Sequence, residues 1–477
     1  MKKIPPPAQL KKDIHQAFKH FHKVQEPPDN LLSNLVLVQE TQKKESAKPK
    51  RYCVNVVLEK GLTQLENHQA EGAQILRKRF LDNKSISEVD KELGLSSLDR
   101  VKHKQSSAFS ELTQIIWDLE FAARNALITA QKSKLEAKSY TELFGIDKLH
   151  KELRNLLMAE ASPWVVTLAG IGGIGKTSLA NFTVRHVIER LHYHDVVWLK
   201  ISEVGRGKRP YPTPQTFDKL IGQLCQKMLP ALSSQTSQEE RLFHLQQLLK
   251  SQRFLIIIDD LELQEDTAYL ISELVALSNP SRFLLTSRTK PAPHAGSQSI
   301  SLPELTEVYS LALIRHYAEE IGFAEAVQAN DKELLPMYKL VGGNPFCLKQ
   351  LVNLARHRPL KSLLDSLGKR PLDSGDGMYQ HILKETWLGL SDDAKTVLAV
   401  MTLATEAGMD ADQIAKLSVL PDARLWPAIN ELIGRSLLEI RSSTLWERSY
   451  GIHRLTELFL RSLMNGGSDE DTENDDV

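Results

Sequence analysis

Residues 170–177 read Gly-Ile-Gly-Gly-Ile-Gly-Lys-Thr, a complete G-x-x-x-x-G-K-[ST] phosphate-binding loop. An apolar run, 164–169, precedes it, and the helical pattern Ser178-Leu179-Ala180-Asn181-Phe182 follows. This is the strand–loop–helix context that the loop's chemistry needs. Gly170, Gly172, Gly173 and Gly175 let the backbone turn sharply with N–H groups aimed inward, and the helix start at Ser178 adds positive potential. Lys176 would reach the β- and γ-phosphates of a nucleoside triphosphate, and Thr177 would ligate Mg²⁺. A glycine-rich turn without a ligand is the alternative, but it leaves the flanking strand and helix unexplained.

The rest of the chain is compatible with several domains. At 477 residues there is room for more than one core, and the hydrophobic and charged fractions, 42% and 25%, are those of a globular protein. Sixty basic residues balance sixty acidic ones, so net charge names no partner. The charge is uneven, however. The first fifty residues are rich in lysine, and residues 468–477 form an acidic run, which reads as two solvated, mobile ends. Cys53, Cys225 and Cys347 are odd in number, far apart and without metal-ligand spacing, which suits a reducing compartment. No run approaches eighteen apolar residues and no apolar segment follows the first lysines, so a cytoplasmic protein without a membrane partner is expected.

Composition and periodicity divide the chain into distinct stretches. Residues 1–51 are expected to be a basic flexible arm. Residues 52–138, almost free of Pro and Gly, should be helical. Residues 139–303 alternate helical patterns with the apolar runs 164–169, 195–201, 254–258 and 282–286, the spacing of βαβ units. Residues 304–372 return to helices broken at Gly342-Gly343-Asn344-Pro345, residues 373–464 come next as a further domain, and 465–477 form the acidic tail. The fold class is multidomain α/β, with a parallel sheet behind a phosphate loop and an all-α region before it.

Two strand ends supply the remaining site candidates. The run 254–258 ends in Asp259-Asp260, and acids at the C-terminal end of a buried strand reach the phosphate crevice. Asp259 would hold Mg²⁺ through water, and Asp260 would polarise the attacking water. Asp-Asp is also ordinary turn chemistry, which is the competing explanation. The run 282–286 ends in Ser287-Arg288-Thr289, from which Arg288 would point toward the γ-phosphate.

Phosphate loop, Asp-Asp strand, Thr-Ser-Arg strand and Gly343-Asn344-Pro345-Phe346, in this order, resemble the NB-ARC branch of the STAND ATPases. The resemblance covers roughly residues 139–464. It implies a P-loop NTPase core followed by a helical lid and a winged helix. Phe144-Gly145-Ile146-Asp147 is similar to the family's adenine-pocket segment, so Gly145 would lie near the base, and Pro345 would pack against it. Two short strands, 436–441 and 446–452, and then His453 resemble the winged helix with its Met-His-Asp motif, here Ile452-His453-Arg454. In the family that histidine touches the β-phosphate of ADP. A lone histidine can equally be structural, and Arg454 replaces the family's aspartate. The resemblance implies an ATP/ADP-dependent switch with slow hydrolysis, Mg²⁺ as cofactor and homo-oligomers on activation; for the input, either a separate sensor or effector chain takes part or the trigger binds the core itself.

A second resemblance lies upstream. Residues 86–96 and 101–109 resemble a helix-turn-helix of the σ-factor region-4 type. Gly94 suits a left-handed turn and Ser96 can cap the second helix. Asp90 stands where the family has a small alanine, and the turn is one residue too long. Arg100, Lys102, His103 and Lys104 are the candidate DNA contacts, which makes transcription regulation one output. The other is a bacterial defence scaffold, with these helices recruiting a protein effector.

Overall fold

The computed structural model describes residues 7–22, 31–45, 47–200, 213–232, 236–261, 264–288, 290–367, 383–384, 386–405, 408–434, 437–443, 447–452 and 454–465. The chain divides into two compact units, residues 1–133 with 189–192, and residues 134–188 with 193–477.

The first unit is all helical: α1 (Pro7–Lys19), α2 (Val36–Lys44), α3 (Lys50–His68), α4 (Ala70–Leu76), α5 (Ile86–Leu93) and the 35-residue α6 (Leu98–Lys132). Here the expected flexible arm is corrected. Leu10, Ile14, Ala17 and Phe18 recur at one-turn spacing on α1 and are fully buried against Leu58, Leu62, Phe109 and Leu112. The lysines between them occupy the opposite stripe, and their number masked an ordinary amphipathic period.

A buried carboxylate ties α2 to α6. Glu120, wholly inaccessible, accepts from Val36 N at 3.0 Å and Leu37 N at 3.1 Å, and from Arg124 Nε at 2.6 Å. The two N–H groups begin α2 and have no acceptor within their own helix. The carboxylate satisfies them and complements the positive end of the helix.

Helix α5 starts with a capping box between Ser85 and Glu88, and Gly94 ends it at φ +62°. Ile75, Val89, Leu95 and Val101 form a small core beneath the turn. Ser96 is not the cap. It sits at φ +66°, and Ser97 occupies the cap position without a side-chain bond. Asp90 Oδ1 accepts from Ser97 N at 3.2 Å, which gives the unexpected acid a structural role in the longer turn.

The second unit is built on five parallel strands in the order β2-β3-β4-β1-β5: β1 (Val165–Ala169), β2 (Asp195–Lys200), β3 (Phe254–Leu261), β4 (Arg282–Ser287) and β5 (Ser297–Ser301). Strands 1 to 4 have mainly apolar, buried middles, as expected where helices cover both faces: α7 (Asp147–Leu157), α8 (Lys176–Ile188), α9 (Thr213–Met228), α10 (Gln238–Ser251) and α11 (Gln264–Leu277). β5, Ser-Gln-Ser-Ile-Ser, escaped the sequence reading. It is an edge strand with only Ile300 buried, so it carries no apolar run. Arg282 anchors β4 to α7. Its guanidinium donates to Leu156 O at 2.7 Å and Leu157 O at 3.1 Å and lies 5.0 Å from the Trp164 ring.

Beyond the sheet come α12 (Glu307–Glu320), α13 (Ala324–Gln328), α14 (Asp331–Val341), α15 (Pro345–His357) and α16 (Leu360–Leu367). Next are α17 (Asp392–Val400), β6 (Met409–Asp410), α18 (Ala411–Ser418), α19 (Asp422–Gly434), β7 (Leu438–Ser443), β8 (Arg448–Ile452) and α20 (Arg454–Asn465). β6, β8 and β7 form an antiparallel sheet in that order. One apolar cluster runs from Leu311 on α12 to Leu460 on α20, so these helices and the small sheet share a core. The boundary expected at 372/373 falls outside the described residues.

Replacing Glu120 by alanine leaves two helix N–H groups in the interior without their acceptor and removes the buried carboxylate that Arg124 meets. A loss of roughly 3–5 kcal/mol is expected, with a smaller loss for Glu120→Gln. Urea unfolding followed by circular dichroism checks this; equal midpoints for Glu120→Ala and the parent chain would refute it.

Candidate functional site

Strand order positions the site. β4 lies between β1, which feeds the phosphate loop, and β3, which carries the acids; Leu168 pairs with Thr286, and Ile258 with Leu285. Thr286 therefore stands beside Asp259. Its hydroxyl donates to Asp259 Oδ1 at 2.6 Å and accepts from Asp260 N at 2.8 Å. Thr177, at the start of α8, donates to the same Asp259 Oδ1 at 2.9 Å. One threonine from the neighbouring strand thus orients both acids, a role the sequence reading missed. Adjacency of β3 and β4 was not legible from their separation along the chain.

Asp259 is fully buried, and its Oδ2 has no hydrogen-bond partner among the described residues. Burial pushes its carboxyl above the usual carboxylate range, and the nearby Glu136 charge adds to the shift, while Lys200 and the hydroxyls of Thr286 and Thr177 oppose it. Asp260 adopts φ +70°, at a register shift between Ile258 and Leu261. The bulge turns Asp260 out of the strand's alternation toward the loop side.

In the loop, Lys176 Nζ donates to Gly170 O at 2.7 Å and Ile171 O at 3.0 Å. The start of α15 is fastened to the same loop. Asn344, wholly buried, donates through Nδ2 to Gly172 O at 2.9 Å, and Phe346 N donates to Gly173 O at 3.3 Å. Asn344 Oδ1 also accepts from Phe346 N and Cys347 N, so one side chain caps α15 and holds the loop. Gly343 is required here, since a Cβ would come within 2.5 Å of Leu305 N.

A cavity of about 730 Å³ opens above these groups. Of the sequence candidates, Gly172, Gly173, Gly175, Lys176, Thr177, Ser178, Asp260, Arg288 and Pro345 line it, with Asp259 beneath. Gly170 and Gly145 are not in the lining. Gly170 accepts from Lys176, and Gly145, at φ +66°, is packed under Tyr309. His453 lies outside the described residues. Sequence reasoning did not find several lining groups: the segment from Glu136 to Thr141, Lys200, Tyr317, Lys349, Gln350 and Arg441. Glu136 O accepts from Asn181 Nδ2 and Arg185 Nη2, both at 2.9 Å, which threads this segment along α8. No local motif marks such residues. Of the upstream DNA candidates, Arg100, Lys102 and His103 are exposed, with Lys102 paired to Asp99, and Lys104 is paired with Glu71.

Residues 146–317 match the family described as NB-ARC domain. This stretch of the chain is similar to an NB-ARC domain. NB-ARC domains bind nucleotide, and the phosphate loop, both acids and Arg288 of this chain fall within the matched stretch. Among curated proteins, the chain is 27% identical over 246 residues to disease resistance protein RPP8 of Arabidopsis thaliana, covering 49% of this chain and 26% of that protein. It is 28% identical over 282 residues to the probable disease resistance RPP8-like protein 2 of the same plant, covering 56% and 28%. The matched regions thus span about a quarter of these relatives' length. Among solved structures, a STAND protein with a tetratricopeptide repeat sensor from Pyrococcus horikoshii aligns at TM-score 0.44 and 18% identity, covering 70% of this chain and 44% of that one. The NB-ARC match ends at Tyr317, so Asn344, Pro345 and the C-terminal sheet lie beyond it.

Asn344→Ala removes both the cap of α15 and the bond to Gly172. It should cost about 1–3 kcal/mol, whereas Asn344→Ser, which keeps a capping oxygen, should lose about half of that. Thermal unfolding of the two variants decides. Equal stability of Asn344→Ala and the parent would remove Asn344 from this role.

Proposed function

We propose that the protein is an ATP/ADP-dependent molecular switch of the STAND class, with slow regulatory ATP hydrolysis. The observation that carries this reading is the buried Asp259 held between Thr177 of the phosphate loop and Thr286 of β4, beneath a cavity lined by Lys176, Asp260 and Arg288. The pair formed by the Thr177 hydroxyl and Asp259 Oδ2, which has no hydrogen-bond partner among the described residues, fits Mg²⁺, held by Thr177 and through water by Asp259. When bound, the ion neutralises charge on the phosphates. Lys176 moves from the loop carbonyls to phosphate oxygens, Asp260 orients the attacking water, and Arg288 reports the terminal phosphate.

The switching element in this reading is the helical lid α12–α16 with the C-terminal sheet, read as a winged helix. Asn344 joins the lid to the loop, so a change in loop geometry on nucleotide exchange reaches α15 directly. The two packings need differ by only a few kcal/mol in nucleotide contacts. His453 is proposed, from its place in the motif, to hold ADP in the closed state, with Arg454 in place of the usual aspartate weakening that hold. Opening would expose surfaces for self-association, and a separate sensor or effector chain would complete the signal path. Output through DNA is a second reading, favoured by the exposure of Arg100 and His103 beside the Gly94 turn. Salt-dependent DNA binding lost in Arg100→Ala would support it; its absence leaves a scaffold that recruits an effector.

Three outcomes test the switch. Lys176→Ala should abolish ATP binding; wild-type affinity in that variant would sink the assignment. Asp260→Ala should retain nucleotide while slowing hydrolysis by about two to four orders of magnitude, checked by single-turnover phosphate release. Light scattering should find a larger particle with a non-hydrolysable ATP analogue than with ADP, and the same size with both would speak against self-association.

A further inference from the structure

Arg441 sits where β7 breaks its register. Ile440 pairs with Tyr450 and Ser442 with Ser449, so Arg441 is the extra residue of a bulge. A bulge re-aims the side chain it carries. The opposite strand makes room for that side chain: a Cβ on Gly451 would stand 2.9 Å from Arg441 Cγ, closer than packed atoms allow. The guanidinium donates through Nη2 to Ile452 O at 3.0 Å and places Nη1 3.9 Å from Glu136 Oε1. It lines the same cavity as Lys176 and Arg288, and it is the cation that the C-terminal sheet contributes to that lining among the described residues.

Its contacts lead toward Asp259 and the phosphate loop. Glu136 Oε1 also lies 3.9 Å from Lys200 Nζ, and Lys200 pairs in register with Asp259, the acceptor of Thr177. The backbone of Glu136 is bound to Asn181 and Arg185 of α8, the helix that begins at the phosphate loop. Its carboxylate is therefore held in place relative to the loop, and Arg441 meets it there.

We propose that Arg441 is a phosphate-reading residue of the C-terminal sheet, exchanging its Glu136 partner for phosphate oxygens of a bound adenine nucleotide. This rests on the nucleotide-switch reading above. Glu136 is the competitor: it holds the guanidinium at the cavity mouth and is displaced by an anion of higher charge that offers more acceptors. The nucleotide thereby becomes a ligand of both the loop and the small sheet.

The test is a double-mutant cycle on the full chain, with ADP, Mg-ATP and adenosine as probes and dissociation constants measured by calorimetry. Arg441→Gln should weaken ADP or Mg-ATP roughly ten- to a hundredfold and leave adenosine unchanged, and Arg441→Lys should recover part of the loss. Glu136→Gln should tighten the same nucleotides, and that gain should shrink when Arg441 is already Gln. A purely structural ion pair predicts the reverse pattern, with both variants less stable on melting and phosphate affinity unmoved. Unchanged ADP and Mg-ATP affinity in Arg441→Gln, or an equal loss for adenosine, overturns the proposal while leaving the switch reading intact. Should Arg441→Gln fail to fold, the Glu136→Gln arm decides alone, and no gain in affinity overturns the proposal. A parent chain that binds neither nucleotide overturns both.

Discussion

A buried carboxylate at the C-terminal edge of a parallel sheet organises the second unit. Asp259 has no access to solvent and accepts two hydroxyl hydrogen bonds, one from Thr177 and one from Thr286. Placing an acid in such a position is costly unless its oxygens are satisfied or a cation is at hand. The two threonines come from α8 and β4, so the acid can be accommodated only when three separate stretches have already assembled. The same Thr286 hydroxyl takes the Asp260 N–H and supports its left-handed backbone. The phosphate loop, the acid strand and the intervening strand are thus one cooperative element.

Among the described residues, polar contacts tie the helices and small sheet C-terminal to the parallel sheet to the groups around the cavity, which they also help to line. Asn344 donates to the loop's Gly172 O from the start of α15, and Arg441 meets Glu136 from the bulge in β7. Behind them, the helices from α12 onward and the small sheet share one apolar cluster. A dense shared core moves as a body rather than deforming gradually, whereas hydrogen bonds at the cavity rim can be exchanged one for another. That division of labour suits the proposed switch, in which bound phosphates would bias the packing of the C-terminal helices and small sheet.

The first unit obeys the same rule with a different acid. Glu120 closes the N-terminus of α2 from the side of α6, and the aliphatic and aromatic residues of α1 and α3 seal the core around it. Its short α5 turn is held by Gly94 and by Asp90 accepting from Ser97, a local solution to a turn one residue longer than the helix-turn-helix it resembles.

How much of this could be read from the chain depends on the range of the interaction. The phosphate loop, its strand and its helix are contiguous, and its glycines act through their own backbone, so the sequence alone determined that this strand–loop–helix would form. Strands 1 to 4 were legible because burial on both faces demands unbroken apolar runs. The edge strand β5, half exposed and rich in serine, gave no such signal. α1 was legible in its Leu10–Ile14–Phe18 spacing, yet the lysines on its other face hid it. Which side chains converge on the cavity was decided only by the tertiary structure. Thr286, Glu136, Lys200 and Arg441 come from places as far apart in the chain as residues 136 and 441, and they meet through strand order, a bulge and a glycine's missing side chain. A hydrogen bond or ion pair across such distances leaves no periodicity or spacing behind, because the partners are chosen by packing and not by proximity along the chain.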